Sequence, residues 1–215
     1  MVGIYNYSVI LTYVSLASAI LGMTQAVQGK FLFAVICLAV SGLCDMFDGK
    51  IARAMKNRSD DAKAFGVQID SLCDMVCFGA FPALLCYQMG VRGFFGMTVL
   101  ILYCTTSVIR LAYFNVLEMK NELVDESGHK FYRGLPITSI AVILPLFYAA
   151  RMLMPAGVYH IGLYFLMLIV GILFVLNFRF PKPKNSTLAV IVGVVSIALV
   201  VVIFVSRRTL GLHFR

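Results

Sequence analysis

Residues 31–54 read FLFAVICLAVSGLCDMFDGKIARA, and residues 67–89 read VQIDSLCDMVCFGAFPALLCYQM. Each is an apolar run of the length a bilayer-crossing helix needs, about 20 residues. Each also carries aspartates toward one end: Asp45 and Asp48 in the first, Asp70 and Asp74 in the second. An ionisable group in such a place costs several kcal/mol unless it is paired or solvated, which makes it a functional candidate by default. Asp45, Asp48 and Ala52 fall at i, i+3 and i+7, and Gly66, Asp70 and Asp74 at i, i+4 and i+8. Each set therefore lines one face of its helix. A short basic connection joins the runs, so the two faces can meet, and four carboxylates then converge near one membrane surface.

The rest of the chain has the same character. Of 215 residues, 61% are hydrophobic and 13% charged, about half the charged share of an ordinary globular protein. With a mean hydropathy of +0.93, such a chain has too little polar surface to cover a soluble core. Seven apolar segments are expected, at about 7–28, 31–54, 67–89, 94–117, 136–154, 158–177 and 188–206. The fold class expected is an all-α, polytopic transmembrane helix bundle of about seven spans, formed as a single domain over 1–215. No charged run precedes the first segment, which reads as a retained span rather than a cleaved signal.

Lys and Arg set the orientation. The connection after the second segment holds Lys50, Arg53, Lys56, Arg58 and Lys63. Lys120, Lys130 and Arg133 follow the fourth segment, and Arg179, Lys182 and Lys184 the sixth. The alternate connections hold little beyond Lys30, Arg92 and Arg151. The positive-inside rule places the first group, and with it the aspartates, at the cytoplasmic face. Seven full crossings then leave Arg207, Arg208 and Arg215 outside, against the same rule. The basic excess, 18 Lys and Arg against 10 Asp and Glu, suits anionic headgroups, and no nucleic-acid partner is expected.

Four close carboxylates repel unless a cation sits among them. Hard oxygen ligands suit Mg²⁺ or Mn²⁺, with Ca²⁺ also possible. Gly49 permits close approach to the backbone, and Arg53 offers charge to phosphate oxygens. A metal with basic groups at a membrane surface points to a lipid-linked phosphate substrate.

Asp45-x-x-Asp48-Gly49-x-x-Ala52-Arg53, a spacer of twelve residues (54–65), then Gly66-x-x-x-Asp70-x-x-x-Asp74 resembles the signature of the CDP-alcohol phosphotransferase family at all eight defining positions. Three further stretches resemble blocks of the phosphatidylserine synthases within that family. They are Phe78-Gly79-Ala80-Phe81-Pro82-Ala83, Arg110-Leu-Ala-Tyr113-Phe114-Asn115 and Phe131-Tyr-Arg133-Gly134-Leu135-Pro136. Tyr113, Thr138 and Gln68 depart from those blocks, where a second Arg, a Pro and a Glu are expected.

The resemblance implies the family's fold, with signature helices at about 31–89, and transfer of a phosphatidyl group from CDP-diacylglycerol to L-serine. It implies metal ligation by Asp45, Asp48, Asp70 and Asp74, with Asp74 also the general base. Gly49, Ala52, Arg53 and Gly66 line the cytidine and phosphate pocket in this reading. The serine carboxylate calls for a cation, Arg110 first and Arg133 second; against this, Arg110 can equally serve a backbone carbonyl or an aspartate, and Arg133 can reach lipid phosphate. A homodimer in a prokaryotic inner membrane is implied by the same analogy. Within the family, glycerol phosphate or inositol phosphate is the alternative acceptor, and a cation transporter is the alternative from another class.

Other features carry little. The six cysteines, Cys37, Cys44, Cys73, Cys77, Cys86 and Cys104, form no CxxC pair and read as apolar fillers. His129, His160 and His213 are isolated, and Asn185-Ser-Thr187 reads as a chance sequon. Asp60, Asp61, Glu118, Glu122, Asp125 and Glu126 read as solvated loop charges.

Overall fold

A computed structural model describes residues 9–54, 59–119, 131–181 and 185–212. Glu122, Asp125, Glu126, His129 and His213 lie outside the described residues. Among those described, the chain is helical almost throughout. Helix α1 (Ile10–Val27) and α2 (Phe31–Ala54) form an antiparallel pair. The aspartate-bearing α3 (Asp60–Asp74) passes through one π turn, Met75–Ala80, into α4 (Phe81–Gln88). There follow α5 (Gly93–Met119), α6 (Ile140–Ala150) with a 3₁₀ turn at each end, α7 (Ala156–Val175) and α8 (Asn185–Leu212). Five stretches are long and apolar enough to cross a membrane: Ile10–Val27, Phe31–Gly49, Asp61–Gln88, Gly93–Met119 and Ala156–Val175. Two shorter apolar stretches, Ile137–Leu153 and Val192–Phe204, complete the seven segments read from the sequence. The protein is thus an integral, multi-pass membrane helix bundle.

Three details differ from the sequence reading. The third helix begins at Asp60, nearly two turns before the apolar run starts. Ser59 caps it, its Oγ accepting from the Ala62 N–H at 3.2 Å, and Asp60 and Asp61 fill the first turn, where carboxylates suit the helix dipole. Those two aspartates are therefore helix-start residues rather than loop charges. Likewise Glu118 is exposed on the last turn of α5. Second, a short antiparallel ribbon joins β1 (Phe131–Arg133) to β2 (Arg179–Pro181), with Tyr132 opposite Phe180. Third, the π turn interrupts the third segment.

Among the described residues, the α1–α2 contact is the most extensive between helices, and its cause is legible in residue size. The buried stripe of α1 is Thr12, Ser15, Ala19, Gly22 and Ala26, small residues at steps of three and four. Small side chains let backbones approach closely in lipid, where dispersion and interhelical hydrogen bonds take over from the hydrophobic effect. Gly22 leaves no room for a Cβ against the Phe81 ring and Cys37. Ser18 adds a bond to the Cys37 carbonyl at 2.9 Å.

The π turn has an equally local origin. Pro82 lacks the N–H that would serve the Phe78 carbonyl four residues back. The Tyr103 hydroxyl of α5 donates to that carbonyl instead, at 2.6 Å, from a side chain that is almost wholly buried. Tyr103 also leans on Phe174 of α7 at 5.5 Å between ring centroids. One phenol thus ties α5, α7 and the segment directly after Asp74 together. Tyr103→Phe keeps the ring and strands the carbonyl, so a loss of about 1–3 kcal/mol is expected. A lowered thermal unfolding midpoint in detergent is the check; an unchanged midpoint would remove this bond from the account.

Gly134 seats the ribbon. Its φ is +73°, and a Cβ there would meet the Phe174 and Leu176 carbonyl oxygens at 2.9 and 3.0 Å. Its N–H donates to the Phe178 carbonyl at 2.8 Å, and the Leu135 N–H to that of Leu173 at 3.1 Å. The segment before α6 is thereby fastened to the C-terminal end of α7.

Candidate active site

The site is built where α2 ends and α3 begins its apolar course. One oxygen from each of Asp45, Asp70 and Asp74 can be chosen so that all three lie within 4.8 Å of one another. The Asp45 and Asp74 carboxyls are in side-chain contact across the two helices, as are those of Asp48 and Asp70. The facing stripes inferred from the three- and four-residue spacings therefore do face each other. Asp45, Asp70 and Asp74 are half-buried, whereas Asp48 is only 5% exposed. Asp48 accepts a hydrogen bond from Thr12 Oγ1 of α1 at 2.9 Å.

Such an arrangement is unfavourable on its own. Like charges at this distance cannot all remain ionised without a compensating cation. Asp70 Oδ1 is buried and accepts no hydrogen bond, an expensive state for a carboxylate oxygen. Oxygens spread over no more than 4.8 Å can share one ion, because hard divalent cations hold oxygens at about 2.0–2.6 Å. The donor set is all carboxylate, which fits Mg²⁺, Mn²⁺ or Ca²⁺ rather than a soft metal. The three residues form a group that could hold a metal ion.

Around the carboxylates, Gly49 and Gly66 are on the same two helices, both half-buried. The side chains of Ala52, Arg53 and Arg133 lie outside those described, though the backbone puts Ala52 and Arg53 on the last turn of α2 and Arg133 opposite Arg179 in the ribbon. Arg110 is 5% exposed on α5. Its Nε donates to the Leu135 carbonyl at 3.2 Å, and its guanidinium stands 5.5 Å from the centre of the Phe114 ring. So Arg110 does serve a backbone carbonyl, as one of the two readings of it required. Ser71, next to Asp70, donates to Asn115 Oδ1 at 2.8 Å, which binds α3 to α5 beside the site. Tyr113 is exposed.

The hydroxyls of Thr12, Ser15 and Ser41 escaped the sequence reading. Ser15 Oγ lies 2.7 Å from Ser41 Oγ, and Cys77 Sγ is 3.6 Å from the same Ser15 oxygen. The signal was present, since Thr12 and Ser15 are three apart on the stripe of small residues that α1 buries.

A model of the CDP-alcohol phosphatidyltransferases matches residues 5–176, about four-fifths of the chain. The chain belongs to this family. Among relatives, an archaetidylserine synthase of Methanothermobacter thermautotrophicus is 30% identical over 80% of this chain and 68% of its own. A CDP-diacylglycerol–serine O-phosphatidyltransferase of Helicobacter pylori is 29% identical over 85% of this chain and 74% of its own. One of Mycobacterium tuberculosis is 28% identical over 84% of this chain, which spans 62% of that relative's length. Family membership and the bundle agree with the resemblance drawn from the signature residues. The blocks beyond the signature now have visible structural parts: Phe78, Gly79 and Pro82 lie at the π turn, Arg110 on α5 against the Leu135 carbonyl, Asn115 on α5 bonded to Ser71 beside the site, and Gly134 at the seat of the ribbon.

Proposed function

We propose that this protein transfers the phosphatidyl group of CDP-diacylglycerol to L-serine, forming phosphatidylserine and CMP, with a divalent metal held by Asp45, Asp48, Asp70 and Asp74. The observation that carries the chemistry is the convergence of carboxylate oxygens from Asp45, Asp70 and Asp74 within 4.8 Å, on two helices bearing the family signature. The names of the relatives support serine as acceptor, since all three are those of a serine enzyme or of an enzyme with a serine product.

When bound, the metal supplies Lewis-acid charge at the pyrophosphate, Mg²⁺ or Mn²⁺ being the ions the donor set favours. The chain's own residues do the rest. Gly49, Ala52, Arg53 and Gly66 form the cytidine and phosphate pocket, small where the nucleotide must approach and cationic where phosphate oxygens lie. Arg110 and Arg133 are assigned to the serine carboxylate. In this assignment Arg110 keeps its Nε on the Leu135 carbonyl, a bond that holds the guanidinium in one orientation. Asp74 takes the proton of the serine hydroxyl. The serine oxygen then forms a bond to the phosphorus that carries diacylglycerol, and the bond from that phosphorus to the CMP oxygen breaks.

The test is CMP release by the purified protein with Mg²⁺ or Mn²⁺, read across serine, glycerol phosphate and inositol phosphate. Label from serine should enter the lipid; label from a phosphorylated alcohol alone would keep the chemistry and discard serine.

The single domain and the cytoplasmic face of the site belong to the same proposal, as do a prokaryotic inner membrane and a homodimer. One observation supports the placement of the site. The ribbon pairs the connection after α5 with the connection after α7, two of the three basic connections, so these lie on one side. Cysteines placed between Lys50 and Lys63 in a Cys-free background are expected to be labelled only from the cytoplasmic side. Labelling from outside would invert the topology.

A further inference from the structure

Helix α1 brings no carboxylate to the site, yet it carries buried hydroxyls toward it. Thr12 and Asp48 are 4% and 5% exposed, and the Thr12 proton is directed at Asp48 Oδ2 over 2.9 Å. A carboxylate so enclosed needs a donor, and a threonine hydroxyl has one proton to give. That proton goes to one oxygen of the pair, which stops the carboxyl group from turning, while the same carboxyl touches Asp70. One turn along α1, Ser15 Oγ bonds the Ser41 carbonyl at 3.0 Å. Ser41 lies seven residues before Asp48, on the same face of α2. These bonds hold α1 and α2 in one register at the level of the site. A slip of one residue along the small-residue stripe would take Thr12 away from Asp48.

We infer that Thr12 is a positioning residue for the reaction: its hydroxyl fixes the rotation of the Asp48 carboxylate toward Asp70, and the affinity of the site for a divalent cation depends on it. This deepens the proposed function and rests on the aspartates holding a metal. Groups one bond removed from the ligands of a metal site typically change its affinity 10–100-fold when lost.

The probe is Mn²⁺ alone, bound to the full-length protein in detergent without substrate and followed by electron paramagnetic resonance. Thr12→Val, close to isosteric but without the donor, should weaken Mn²⁺ binding by about 10–100-fold. Thr12→Ser should restore it close to the unaltered protein, because the hydroxyl returns while the methyl does not. In an Asp48→Asn background, Thr12→Val should add little, since the two act through one bond. Thermal unfolding of the metal-free variants separates packing from positioning; if Thr12→Val does not fold, Thr12→Ala poses the same question. Equal Mn²⁺ affinity in the Val and Ser variants overturns the inference and leaves the proposed function standing. Failure of the unaltered protein to bind Mn²⁺, or unchanged binding in Asp45→Asn, overturns the metal reading and this one with it.

Discussion

Asp45→Asn is expected to lower CMP release by at least about 10³-fold and to weaken Mg²⁺ and CDP-diacylglycerol binding together. Metal charge at a phosphoryl group is worth several kcal/mol, and each ~1.4 kcal/mol is tenfold in rate. Asp45 contributes one of the oxygens gathered within 4.8 Å, and it comes from α2, whereas Asp70 and Asp74 both come from α3. Losing its charge removes the only α2 member of that trio. The amide still fills the space and can still hydrogen-bond, so packing should survive. Exhaustive chelation of the unaltered protein should give a similar loss, reversed by adding Mg²⁺ or Mn²⁺. Full turnover after chelation would end the metal-assisted reading. A rate loss in Asp45→Asn without any loss of nucleotide affinity would mean that the metal does not bridge protein and pyrophosphate.

Much of this arrangement was legible in the sequence, for reasons that differ by level. Lipid covers the bundle, so its apolar segments stand out in composition, and all seven correspond to helices. The aspartates were legible because charge in an apolar run has few innocent explanations, and because steps of three and four place Asp45 with Asp48 and Asp70 with Asp74. Hydropathy missed the start of α3, where the polar stretch from Asp60 to Phe65 is as helical as the apolar run behind it. The cap at Ser59 and the two aspartates after it were the available signal, and they are electrostatic rather than apolar. The π turn was less accessible. Pro82 hinted at a break, but the remedy, the Tyr103 hydroxyl on the Phe78 carbonyl, joins residues 25 apart. The Thr12–Asp48 bond spans 36 residues and exists only because two helices pack in one register. Pairings of that kind depend on helix rotation and depth, and neither is written in the spacing of a single segment.

Asp74 should behave differently from Asp45, although the two carboxyls touch. If Asp74 is the base, Asp74→Asn leaves the nucleotide pocket and the α2 ligand in place and removes the acceptor for the serine proton. Binding of CDP-diacylglycerol should then persist while the single-turnover rate falls by at least about 10², the lower end of the contribution a positioned general base makes. The proposed distinction rests on position along α3. Asp74 is the last residue of α3, and the π turn after it changes the direction in which the next residues point. The Asp74 carboxyl thus sits one turn beyond Asp70 on α3, the position from which it is proposed to take the serine proton. Asp70, by contrast, has an oxygen buried with no hydrogen-bond partner, which suits the cation ligation proposed for it. Asp70→Asn is therefore expected to follow Asp45→Asn, with metal affinity and rate falling together. The comparison uses equilibrium binding of CDP-diacylglycerol and single-turnover chemistry at saturating metal, so that affinity and rate are read separately. Near-normal chemistry in Asp74→Asn would mean that the serine proton leaves through water or another carboxylate. Equal loss of nucleotide binding in the Asp45 and Asp74 variants would make Asp74 a ligand first. Since a carboxylate has two oxygens, one can face the metal while the other takes the proton, and that dual role would show as a moderate loss of metal affinity with a disproportionate loss of rate.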